Sequence, residues 1–117
     1  MAKAANEVLA GKYKGCSVNL LTGGGAYISV NPLPVNIDKS TVSAYEVVTE
    51  DKVKSGSSVL IRGAIGSSLL GPVGLLAGGL SARNKSIITI VILWKDNSQS
   101  LIEIDDQLYK AFLMGMF

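Results

Sequence analysis

The chain has no histidine. That removes the side chain whose unperturbed pKa lies nearest neutrality, and with it the usual general base and the commonest metal ligand. There is one cysteine, Cys16, so no internal disulfide can form, which fits a reducing compartment. A nucleophilic thiol would also lack a histidine partner, and the local alternation places Cys16 on the inward side of a strand as a packing residue. Acid is missing from residues 52–95, which carry Lys52, Lys54, Arg62, Arg83, Lys85 and Lys95. Charge of either sign is missing from residues 63–82, which contain six glycines. With 17 % charged and 48 % hydrophobic residues, the chain is too apolar for global disorder. Its first residues, MAKAANEVLAGKYKG, hold no apolar run of signal-peptide length. Ala2 stands where myristoylation would require glycine. The expectation is a cytoplasmic protein.

What is present is mostly β pattern. In KYKGCSVNLL (12–21), Cys16, Val18 and Leu20 alternate with Ser17 and Asn19, and in AYISV (26–30) Ala26, Ile28 and Val30 alternate with Tyr27 and Ser29. The TGGG between them supplies the positive φ of a tight turn, which predicts a β-hairpin. Pro32 and Pro34 then interrupt any ladder. TVSAYEVVTE (41–50) is rich in β-branched residues and predicts another strand. SIITIVILWK (86–95) predicts a central strand covered on both faces, and QSLIEI (99–104) its return across a DNS turn. In the last segment Leu108, Ala111 and Phe112 fall on one helical face, with Asp105 or Asp106 as cap. The fold class read from this is α+β, mainly antiparallel, with about five strands and a C-terminal helix in one domain spanning residues 1–117.

Residues 62–83, RGAIGSSLLGPVGLLAGGLSAR, remain to be placed. Twenty helical residues would rise roughly 30 Å, the thickness of a hydrocarbon core. Their seven Leu, Ile and Val side chains contribute only about −2 to −4 kcal/mol to insertion. Pro72 costs about 3 kcal/mol in a helix interior and each glycine up to about 1, so a lone span is not expected. No phosphate-loop or dinucleotide motif occurs, and the G-x-x-G spacings present are weak signals. GPVG (71–74) reads instead as a turn between two arms of about 14 Å each. Gly63 and Ser67 on one arm, and Gly74 and Gly78 on the other, form small-residue stripes that permit close approach. Gly71 lies at the turn. Ile65, Leu69, Leu76 and Leu80 need burial. Three placements stay open: onto the sheet as core, against another subunit or partner protein, or shallowly in a membrane surface.

The string SSVLIRGAIGSSLLGPVGLLAGGLSARNK (57–85), with SLIEIDDQLYKAF (100–112) after an intervening strand, resembles small uncharacterised bacterial proteins carrying a PH-like domain. These occur in Gram-positive genomes and prophages and are sometimes joined to a SHOCT segment, which is not read in this chain. The resemblance covers roughly residues 11–117, and LLGPVGLLAGGLSA (69–82) is its most specific part. It implies a PH-like half-barrel with a C-terminal helix and an inserted Gly-rich hairpin, and it implies no enzyme activity.

The function expected on these grounds is a non-catalytic binding or assembly module. Gly63, Ser67, Leu69, Gly71, Gly74, Leu76, Gly78 and Leu80 are its candidate interface residues. Arg62, Arg83 and Lys85, at the base of the hairpin, are candidates for holding an anionic group. Homo-oligomerisation or a protein partner leads. The alternatives are sequestration of an anionic metabolite or nucleotide, perhaps by a phage-encoded protein, and peripheral attachment to anionic lipid. No cofactor or metal is expected, since Asp105 and Asp106 suit a helix start better than a cation. Nucleic acid is not expected either, because Trp94, Tyr13, Tyr27 and Tyr45 are not interleaved with cations on one face.

Overall fold

The computed structural model describes residues 6–31, 33–48 and 87–117. They form strands β1 (Glu7–Gly11), β2 (Val18–Leu20), β3 (Ala26–Ile28), β4 (Val35–Ile37), β5 (Val42–Val47), β6 (Ile87–Trp94) and β7 (Gln99–Asp105), then helix α1 (Asp106–Met116). Two antiparallel sheets result, ordered β1-β7-β6-β5 and β2-β3-β4, and α1 packs against both. A bridge between Glu7 and Ser17 joins the two sheets. It is reinforced by Val8 N–H donating to Cys16 O at 2.8 Å and Val18 N–H to Asn6 O at 2.8 Å.

The hairpin across the glycines forms with Val18 opposite Ile28 and Leu20 opposite Ala26. Gly23, Gly24 and Gly25 all take φ between 90° and 113°, a region closed to most L side chains. β6 lies inside its sheet, and Ile90, Val91 and Ile92 are all fully buried, as expected of a strand covered on both faces.

Three expectations are corrected. Seven strands form among the described residues rather than about five. β1 escapes a search for alternation because its register shifts between Val8 and Ala10, so the residues on either side of Leu9 lose their period of two. β4 is only three residues long. The strand expected over 12–21 shrinks to β2, because Tyr13 and Gly15 adopt positive φ and fold residues 12–15 into a turn. Leu20, paired with Ala26 at the end of β2 next to the glycine turn, is 45 % exposed rather than inward.

The four-stranded sheet has two distinct faces. Its inner face carries Val8, Val42, Ile90, Ile92, Trp94, Ile102 and Ile104, which join Val18, Ile28 and Ile37 of the other sheet and Leu108 and Phe112 of α1 in one core. The outer face, set by alternation and cross-strand register, carries Glu7, Ala10, Glu46, Thr89, Val91, Leu101 and Glu103.

α1 begins where the sequence places it. Asp105 is the cap: it is extended, and its Oδ1 accepts from Leu108 N–H at 2.8 Å. Its other oxygen accepts from Asn6 Nδ2 at 3.2 Å, while Asn6 Oδ1 accepts from Asp105 N–H at 2.9 Å. The helix start is thereby tied to the entry of β1. Asp105→Ala is expected to lower stability by about 1–2 kcal/mol in denaturant titration, with Asp105→Asn retaining most of it. An alanine variant within 0.5 kcal/mol of the parent would show that the cap carries no weight.

Candidate functional site

The sequence-derived candidates Arg62, Gly63, Ser67, Leu69, Gly71, Gly74, Leu76, Gly78, Leu80, Arg83 and Lys85 all lie outside the described residues. The frame into which they are inserted is described. β5 and β6 pair directly as far as Val47 opposite Ile90, and Val48 N–H donates to Thr89 O at 2.8 Å. Residues 49–86 therefore leave and re-enter at one end of a single antiparallel pair.

The outer face next to this insertion point combines burial and acid. Val91 and Leu101 face each other across β6 and β7, and Glu46 lies beside Val91 on β5. Glu7 and Glu103 are directly opposite one another on β1 and β7. All three glutamates are half-buried, and Glu46 and Glu103 both have interaction partners. The sequence reading did not single out these glutamates. They are far apart in the chain, and only the strand pairing gathers them.

The far end of the molecule holds a different cluster. Lys12 Nζ meets Asp96 Oδ2 at 2.5 Å, and Asp96 also accepts from the Ser98 hydroxyl and, at 2.9 Å, from Ser98 N–H. The lysine and these donors hold the Asp96 carboxyl well below the usual carboxylate range, and the hydrogen bond to Asp96 raises Lys12. Asp38 is lowered too, chiefly by the Ser40 hydroxyl. Each arrangement is a satisfied turn. An exposed pair such as Lys12–Asp96 contributes little to stability, since both partners keep their water.

Trp94 is buried, its indole N–H donates to Ser100 Oγ at 2.7 Å, and Tyr13 packs edge-on with ring centroids 5.7 Å apart. Trp94 is thus a core residue whose polar tip has found a partner. Cys16 is half-buried and packs against the core. Asp105 is occupied as the cap, and Asp106 pairs with Lys110 at 3.5 Å. Among the described residues there is no group of three or more metal-ligating side chains, and no helix long and apolar enough to cross a membrane.

A cleft of about 410 Å³ lies between β5 and the end of α1, lined by Lys39, Val42, Ser43, Ala44, Tyr45, Met116 and Phe117. Its lining sets Lys39, Ser43 and Tyr45 beside the apolar Val42, Ala44, Met116 and Phe117. Comparison of the chain with known protein families, curated proteins and solved structures finds no match.

Proposed function

We propose that the protein is a non-catalytic binding and assembly module, a PH-like half-barrel whose contact surface is the Gly-rich stretch between β5 and β6. The insertion point carries this reading. A hairpin connection needs about two to five residues, whereas residues 49–86 join two strands that are already paired. Such a length serves something other than closing the sheet. The half-barrel reading is supported by the strand sequence β4-β3-β2-β1-β7-β6-β5, made continuous by the Glu7–Ser17 bridge, with α1 against both sheets. A small-residue stripe flanked by leucines suits a second copy of the chain, because the absent side chains let two backbones approach. The setting that fits is the cytoplasm.

Gly74→Leu tests it. The leucine should fill the space that the approaching surface needs and weaken self-association at least about tenfold, since overpacking costs roughly 1–3 kcal/mol. The circular dichroism of the sheets should stay unchanged. Native mass spectrometry reads the outcome, and an unaltered oligomer, or a parent protein that is monomeric, would reject the assembly reading. A second reading rests on the acid-free run of 52–95: an anionic metabolite, nucleotide or lipid headgroup held by Arg62, Arg83 and Lys85. Arg62→Ala and Arg83→Ala should then release any co-purified anion.

A further inference from the structure

The three-stranded sheet turns Val18, Ala26, Ile28 and Ile37 into the core, where all four are buried. Alternation therefore sets Asn19, Tyr27 and Asn36 on its outer face. Register makes these three a row across the strands, with Tyr27 in the middle, opposite Asn19 on one side and Asn36 on the other. Ser17 and Ser29 form the next row, joined by Ser29 N–H donating to Ser17 O at 2.9 Å. Ser17, Ser29 and Asn36 are exposed, and Asn19 and Tyr27 are half-buried. β2, β3 and β4 contain no charged residue, in a chain with eleven Lys and Arg and nine Asp and Glu. Solvated strands commonly carry charge, which keeps sheet edges apart. Here the outward positions carry amides, hydroxyls and one aromatic ring.

These polar groups are already ordered. Asn19 Nδ2 donates to Ser17 Oγ at 3.1 Å and to Ser29 Oγ at 2.8 Å. One amide thus uses an acceptor site on each serine and leaves both hydroxyl protons to be donated elsewhere. Asn36, on the edge strand β4, offers donors and an acceptor together. Neutral donors and acceptors around an aromatic ring match a ligand that is uncharged, bears several hydroxyls and has an apolar face. A pyranose is such a molecule, with C–H groups on one face and hydroxyls around its rim. Cross-strand neighbours stand about 4.5–5.5 Å apart, so the groups flanking Tyr27 fall at the rim of a sugar ring stacked on it. A nucleobase would stack as well, but its phosphates call for cations, and these strands supply none. We propose that the outer face of the three-stranded sheet binds a neutral carbohydrate, with a sugar ring over Tyr27 and its hydroxyls on Asn19, Asn36, Ser17 and Ser29. The site is separate from residues 63–82, so it stands or falls independently of the assembly reading.

Titration of the ¹⁵N-labelled full chain with cellohexaose, maltohexaose and N-acetylchitohexaose, followed by NMR, tests the site. At least one of them should shift the Asn19 and Asn36 side-chain amide signals saturably, with a Kd on the order of 1 mM for so small and open a contact. Tyr27→Ala should weaken that binding about tenfold, whereas Tyr27→Phe should keep most of it. Asn36→Ala, at an exposed edge position that folding tolerates, should weaken it about threefold, and it carries the test if Tyr27→Ala does not fold. No saturable shift with any of the three sugars up to about 10 mM would overturn the proposal. Unchanged binding in the folded variants would overturn it too. Tighter binding of hexagalacturonate or of a thymidine hexanucleotide than of every neutral sugar would overturn it in favour of an anionic glycan or a nucleic acid.

Discussion

Phe112→Ala is expected to remove about 3–5 kcal/mol of stability, the usual cost of emptying an aromatic site in a packed core. For a domain whose whole stability is of order 5–15 kcal/mol, that is enough to leave a substantial unfolded fraction at moderate temperature. Phe112 is 1 % exposed and lies in the cluster where α1 meets both sheets. Its ring packs edge-on against Tyr45, centroids 4.9 Å apart and planes at 82°. Alanine would therefore lose the aromatic pair as well as apolar burial. The surroundings cannot readily collapse into the void, because Phe112 is held between paired strands rather than between loops. Urea titration should show the midpoint falling sharply with little change in slope. Phe117→Ala, at a residue 86 % exposed, should move stability by no more than about 0.5 kcal/mol. Equal effects at the two positions would mean that α1 does not seal the core as its packing implies.

The parts of the fold legible in the sequence are those whose local pattern agrees with their final environment. β6 is a run of β-branched and aliphatic residues, and a strand buried on both faces needs no alternation. Leu108, Ala111 and Phe112 share one helical face, and all three are buried. Asp105 caps the helix as its position predicts. Legibility fails where register rather than composition decides. The bulge around Leu9 hides β1, and the Tyr13–Gly15 turn shortens β2. The outer-face acid patch is the clearest case. Glu7, Glu46 and Glu103 come from three strands, and each alone reads as an ordinary solvated carboxylate. Only pairing β1 with β7 and β5 with β6 sets them beside the same apolar patch. The basic residues around the Gly-rich stretch are visible in the sequence as an acid-free run.

Gly115→Ala is the substitution for which propensity and packing predict opposite signs. In a helix interior, replacing glycine by alanine gains up to about 1 kcal/mol because the unfolded chain loses freedom and the helix does not. At Gly115 a Cβ would stand 2.7 Å from the carbonyl oxygen of Ile37, with the Cβ and Cα of Asp38 at 3.5 and 3.6 Å. The obstacle is the backbone of β4, whose Ile37 is 1 % exposed, and not the movable end of a side chain. The same contact is tied by Lys39 N–H donating to Gly115 O at 3.1 Å. Relief requires the last turn of α1 to lift from the sheet, which would loosen that bond and open the wall of the adjoining cleft. Overpacking of this kind costs about 1–3 kcal/mol. The helix gain is small in a terminal turn, so packing wins. The net expectation is a loss of about 1–2 kcal/mol, or a fall in Tm of roughly 5–10 °C, measured by calorimetry. A rise in Tm would mean that the close approach of α1 to β4 relaxes freely, and that the helix end is held by Phe112 and Leu108 alone.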